Sequence, residues 1–226
     1  NRKMKLLLPQ QTWKWLFVVC NIIFVIFGII LLVYGITPGR LLSQFSDVLL
    51  ITKPEIFTSA SVSGGIQLVA ALIGMIGLLL QHKILIYAHL LALLIPTFME
   101  ICVAIISAAM DHKFHPSVHQ SLNSSVKAYY SSNEARQQLD KLQREFKCCG
   151  ANSSMDYYNE TFLMPSSCRL NYQIYQRGCI EAINEFVQQS IHILVCLCFS
   201  FAIIQTIYLI ILLLKNCQSN AKVDSD

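Results

Sequence analysis

Four long apolar runs constrain this chain more than anything else in it. They are "WLFVVCNIIFVIFGIILLVYGI" at 15–36, "ASVSGGIQLVAALIGMIGLLL" at 60–80, "ILIYAHLLALLIPTFMEICVAIIS" at 84–107 and "IHILVCLCFSFAIIQTIYLIILLL" at 191–214. A bilayer core of about 30 Å is crossed by roughly 20 apolar residues in a helix, the form in which a single segment satisfies its own backbone. Charged residues make up only 13% of the chain, roughly half the usual share. The reading is an all-α membrane protein with four transmembrane helices. The first run follows basic residues, as a signal peptide would. Its apolar stretch is too long for a signal core and no small-residue cleavage site follows, so it is expected to be a retained span.

Short segments set the orientation. Arg2, Lys3, Lys5 and Lys14 precede the first run, His82 and Lys83 fill the gap at 81–83, and Lys215 and Lys222 follow the fourth. The segment 37–59 carries Arg40 and Lys53 against Asp47 and Glu55. The expected layout is therefore a cytoplasmic N-terminus at 1–14, a small extracellular loop at 37–59 and a cytoplasmic loop at 81–83. A large extracellular loop follows at 108–190, then a cytoplasmic tail at 215–226. The net charge of +4 is small, and no basic stripe beyond the N-terminal cluster offers a nucleic-acid surface. That cluster suits anionic lipid of the inner leaflet.

All three Asn-X-Ser/Thr sequons, at Asn123, Asn152 and Asn159, fall in the segment 108–190. Glycosylation requires lumenal exposure, which agrees with the layout. The same segment holds Cys148, Cys149, Cys168 and Cys179. An outside loop is oxidising, so structural disulfides are expected. Neighbouring Cα atoms sit only about 3.8 Å apart, less than a disulfide wants, so Cys148 and Cys149 each need a distant partner. Two pairings of the four remain open. Zinc is the rival, but adjacent thiols followed by long gaps fit its ligand spacing poorly. No metal is expected at His112, His115 and His119 either, which read as solvated.

The loop is patterned as helices around an unpatterned insert. Val118, Leu122, Val126 and Tyr129 recur at helical spacing, as do Leu139, Leu142, Phe146 and Cys149. Ile180, Ile183, Val187 and Ile191 run into the fourth span. Each set is one apolar stripe of an amphipathic helix. Between Gly150 and Gly178 the periodicity fails, and Gly150 reads as a helix stop because glycine takes the left-handed conformation cheaply. Cross-links tying such an insert down stabilise it by about 2–4 kcal/mol each. Its aromatics Tyr157, Tyr158, Phe162, Tyr172 and Tyr175 are of the kind found at interfaces, or else pack the insert internally. Phe162, Leu163 and Tyr172 are the expected partner contacts.

Taken together these features resemble the tetraspanin family along essentially the whole chain. The family's Cys-Cys-Gly signature is matched by Cys148-Cys149-Gly150, its Pro-X-X-Cys element by "PSSC" ending at Cys168, and its last loop cysteine by "RGC" ending at Cys179. Its first-span asparagine matches Asn21, with Gly28 and Gly35 a heptad apart, and its third-span acid matches Glu100. The resemblance implies the pairs Cys148–Cys179 and Cys149–Cys168. Departures exist. The loop has four cysteines where many members have more, the inner loop has none, and Gln205 stands where a glutamate is common.

Asn21, Gln67, Glu100 and Gln205 are polar groups inside the runs, where each must face a partner or a wet cavity. One reading is interhelical glue. The other is the polar edge of a lipid cavity, which the resemblance supports because some tetraspanins enclose a sterol. Cholesterol or another lipid is thus the one bound small molecule in view, and no cofactor is expected. Cys217, just past the fourth run, is a candidate for S-palmitoylation, and Cys20 a weaker one. Cys102, Cys196 and Cys198 read as small apolar residues. No catalytic motif is present, so an enzyme is not expected.

The function implied is a membrane organiser at the plasma membrane, with endosomal or vesicle membranes as further sites. Its partners would be other integral membrane proteins, other tetraspanins and membrane lipids including sterol. The alternative is a lipid-binding or transport protein that uses the intramembrane cavity.

Overall fold

In the computed structural model the described residues are 10–49, 55–80, 82–110, 114–161 and 163–223. Phe162 and His112 lie outside them. Long helices are α1 (Gln10–Ser43), α3 (Glu55–Leu80), α4 (Lys83–Met110) and α8 (Cys179–Val223). Shorter ones are α2 (Ser46–Leu49), α5 (Phe114–Lys127), α6 (Asn133–Phe146) and α7 (Met155–Thr161). A 3-10 turn at Ser166–Cys168 leads into a small antiparallel hairpin of β1 (Arg169–Leu170) and β2 (Gln173–Ile174).

Two compact units divide the chain. The first holds α1 up to Gly35, α3 from Ser59, α4 up to Ala104 and α8 from Cys196. Among the described residues, four helices are long and apolar enough to cross a membrane. Their exteriors are apolar too. On α1, Ile22, Ile26, Ile29 and Val33 are exposed while Phe24 and Leu31 are buried. An exposed stripe of that size would be a liability in water and is the expected exterior in lipid. Inside, Phe201 packs edge-on against Phe24 at 5.6 Å and stacks on Phe27 at 4.5 Å. Backbones of α1 and α3 meet at Gly28 and Gly64, where a Cβ on Gly64 would stand 2.7 Å from the Gly28 carbonyl oxygen. Lipid offers helices no hydrophobic drive to associate, so close backbone approach supplies dispersion contacts in its place.

The second unit holds residues 36–58 and 105–195. The stripes of Val118, Leu122 and Val126 on α5 with Tyr129 in the turn after it, of Leu139 and Leu142 on α6, and of Ile180, Ile183 and Val187 on α8 are all buried. The α2 turn joins them, with Ser121 donating to the Val48 carbonyl and Phe45 packing on Phe146 at 6.0 Å. Ser132 caps α6 by accepting from the Ala135 amide at 3.3 Å.

Gly150 is not the stop of α6. The helix ends at Phe146, Lys147 takes the left-handed conformation at φ 50°, and the Cys148 amide donates to the Gln143 carbonyl at 3.1 Å. Both cysteines must leave the helical path to reach partners, so the chain turns before them. Gly150 serves another turn, at φ 70°, where an added Cβ would overlap the Ser153 carbonyl.

Candidate functional site

Buried polar groups of the first unit fall into three clusters. Gln205 on α8 is the centre of one. Its carboxamide donates to Gln67 on α3 and accepts from the Thr97 hydroxyl on α4, both at 2.5 Å. A second surrounds Tyr208 on α8. Asn21 donates to the Phe17 carbonyl at 2.8 Å and to the Tyr208 hydroxyl at 3.4 Å. His89 meets that hydroxyl through Nε2 at 3.1 Å and the Ala70 carbonyl through Nδ1 at 2.8 Å. A carbonyl only accepts, so Nδ1 carries a proton, and in the neutral ring Nε2 then accepts from the tyrosine.

Glu100 on α4 stands apart from both. It is 1% exposed, and neither carboxyl oxygen has a hydrogen-bond partner among the described residues. Ser63 on α3 is the hydroxyl that faces it, outside good hydrogen-bond geometry, and Nε2 of Gln67 also lacks a partner among the described residues. A carboxyl and a hydroxyl therefore lie buried side by side without good hydrogen bonds, an arrangement that costs more in hydrocarbon than in water. The four polar residues singled out from the sequence thus do not form one group. Gln67 pairs with Gln205, Asn21 joins Tyr208, and Glu100 remains alone with Ser63. His89, Thr97 and Tyr208 were not singled out, although His89 interrupts an apolar run just as Asn21 does.

Cys20 is half-buried and borders an apolar groove of about 260 Å³ between α1 and α8, with Trp13, Phe17 and Leu212 on its walls. Lys215 places its ammonium 4.2 Å from the Trp13 ring centre. Cys217 lies on α8 near its end.

In the second unit, Cys148 is bonded to Cys179 and Cys149 to Cys168. Backbone bonds reinforce these links. The Cys149 amide donates to the Arg177 carbonyl at 2.9 Å, and the Cys179 amide to the Gly150 carbonyl at 3.1 Å. A buried side-chain network holds the same insert to α5 and α6. Tyr129 donates to Asp140 at 2.9 Å, and the Ser167 hydroxyl faces Asp140 at 2.6 Å and Gln143 at 2.7 Å. Gln143 in turn donates to the Tyr157 hydroxyl at 2.6 Å. Burial pushes the ionisation of Tyr129 and Tyr157 well above the usual tyrosine range, and for Tyr129 the Asp140 carboxylate adds to it.

The insert's aromatics divide sharply. Tyr157 is buried inside the network and packs on Tyr129 at 5.2 Å. Tyr158 is exposed and Tyr175 half-buried. Leu163 is exposed, its carbonyl accepting from Tyr130. Tyr172 is fully exposed at the tip of the β1–β2 hairpin, where it and Asn171 both take positive φ, 72° and 48°. Such a two-residue turn favours Asn at its first position and Gly at its second, and a bulky ring there is strained. Of the sequons, Asn123 lies on α5, Asn152 in the turn after Gly150, and Asn159 on α7.

Among the described residues no group of His, Cys, Asp or Glu is arranged to hold a metal ion.

Comparison with known proteins gives a consistent picture. The profile of the Tetraspanin family matches residues 13–218. The "25 kDa integral membrane protein" of Schistosoma japonicum is 32% identical over 85% of this chain and 86% of its own length. The "Leukocyte surface antigen CD53" of Rattus norvegicus is 29% identical over 91% of each.

Proposed function

The chain belongs to the tetraspanin family, and from that premise we propose that it is an organiser that gathers other integral membrane proteins beside it. It is an integral multi-pass membrane protein with four candidate spans, in a family of generally non-enzymatic membrane proteins. Both termini are cytoplasmic on this reading, the loop 108–190 faces outward, and the plasma membrane is the main site. The name of the leukocyte surface relative supports that location. Partner choice resides in the insert 150–178, and Tyr172, Leu163 and its sequence neighbour Phe162 make the contact.

The observation that carries this reading is Tyr172. No described residue packs on its ring, yet the backbone beneath is held in a conformation that disfavours it. Strain without an internal packing reason is the mark of a residue kept for a contact. Replacing Tyr172 by Gly removes the ring and relaxes the turn. Proteins crosslinked to the intact chain at the cell surface, and quantified by mass spectrometry, should fall at least tenfold with Tyr172→Gly while both disulfides form normally. Undiminished crosslinking in Tyr172→Gly and in an exchange of the whole insert would move recognition to the spans.

A second reading concerns lipid. The unjoined polar atoms of Ser63, Gln67 and Glu100 support a site for the hydroxyl of a sterol among the spans. A photoreactive sterol that labelled no peptide near Glu100 or Asn21 would remove it. Cys217, and Cys20 at its groove, are the proposed acylation sites, and hydroxylamine-sensitive acyl exchange that falls in Cys217→Ser tests the first of them.

A further inference from the structure

Two of the three sequon asparagines touch each other. Asn152 Nδ2 donates to Asn123 Oδ1 at 3.3 Å, and Asn123 Nδ2 lies 3.0 Å from His119 Nδ1. We infer that Asn123 and Asn152 form a single glycan-acceptor site with one occupant: Asn152 carries the sugar, and Asn123 stays unmodified as the bracket that holds it. This rests on the lumenal placement of the loop proposed above.

Three observations set the roles. Asn123 is the middle of the bridge, engaged at its oxygen by Asn152 and at its nitrogen by His119, and it is half-buried on α5. Asn152 is the exposed end of that bridge. Its backbone is also fixed. The Asn152 amide donates to the Asp156 carboxylate at 2.7 Å, and the Ser153 amide to the same oxygen at 3.3 Å. Next to it the Ile180 amide bonds the Ala151 carbonyl at 3.0 Å, beside the Cys148–Cys179 link. A sugar at Asn152 therefore grows outward from a rigid turn.

Chemistry then limits the pair to one. In transfer, the asparagine nitrogen attacks the anomeric carbon of a lipid-linked oligosaccharide. A C–N bond forms, the C–O bond to the lipid pyrophosphate breaks, and the amide gives up one proton. The modified nitrogen keeps its second hydrogen, so glycosylated Asn152 still donates to Asn123. A sugar on Asn123 would instead be rooted on a half-buried carboxamide flanked on both sides, and would crowd His119 and Asn152 together. Glycans are bulky surface groups, and two rooted on touching carboxamides cannot share this contact.

The test uses the full chain expressed in eukaryotic cells and purified natively, with sequons disabled at their serines so that both asparagines remain. Ser154→Ala should remove one glycan from the intact mass, and Ser125→Ala none. Peptides deglycosylated by amidase in water labelled with heavy oxygen should carry the label as aspartate at position 152 and none at Asn123. Loss of a glycan with Ser125→Ala, or label on both asparagines, would overturn the shared site while leaving the loop's lumenal placement intact. Complete absence of sugar from Asn152 and Asn159 alike would overturn both.

Discussion

The buried network between the insert and α6 makes a quantitative prediction. Gln143 is fully buried, donates to the Tyr157 hydroxyl at 2.6 Å and accepts from Ser167 at 2.7 Å. Gln143→Leu keeps most of the volume and strips the donor. Tyr157 is 1% exposed, so its hydroxyl is left without water or donor. Ser167 keeps Asp140 as acceptor and is not orphaned. One buried orphan costs about 1–3 kcal/mol. Tyr157→Phe keeps the ring on Tyr129 and orphans the Gln143 nitrogen, again at about 1–3 kcal/mol. Removing both groups leaves neither partner stranded, so the double variant should sit within about 1 kcal/mol of the parent. The two single costs then fail to add, and the cycle should close with a coupling of about 1–6 kcal/mol, the summed single costs less that of the double. Native-state hydrogen exchange of the full chain in detergent reads this locally. The Tyr175 amide, bonded to the Cys168 carbonyl at 2.9 Å, reports the insert. Its protection should drop about 5- to 150-fold in each single variant and recover in the double. A double variant as unprotected as the product of the two singles would refute the reasoning, since the two groups would then act independently.

Other predictions follow from the same unit. Gly150→Ala adds a Cβ at φ 70° against the Ser153 carbonyl; the left-handed conformation alone costs roughly 1–2 kcal/mol, and thiol alkylation followed by intact mass should find more alkylated cysteines than in the parent. Cys149→Ser with Cys168→Ser opens the link across the insert and should lower its local stability by about 2–4 kcal/mol, while Cys148–Cys179 remains closed by peptide mapping. Tyr129 and Tyr157 ionise less readily when folded. The stability they contribute is complete below the unfolded tyrosine value near 10 and is lost as pH climbs above it. Alkaline unfolding followed by tyrosinate absorbance should therefore release their signal with the transition, and Tyr157→Phe should blunt the loss above about pH 10.

The sequence by itself determined the membrane architecture, because crossing lipid is a matter of length and apolar composition and needs no partner. It also determined that Cys148 and Cys149 look elsewhere, since adjacent residues are too close to bond. Helical stripes on α5, α6 and α8 were legible for a similar reason, each being a local periodicity. Polar roles were not. Gln143, Asp140 and Ser167 carry no local sign of their pairing, and their partners Tyr129 and Tyr157 come from other parts of the chain. Tyr157 and Tyr158 are neighbours of one chemical type, and only packing sends the first inward and the second out. Lys147 took the left-handed turn that Gly150 was expected to make, because two disulfides pull the chain off the helix before the glycine is reached. Likewise only the folded chain separates Glu100 from the other intramembrane polar groups and sets Asn123 against Asn152. Apolar burial is decided one residue at a time, whereas a hydrogen bond needs two residues in one place, and tertiary structure alone supplies the second.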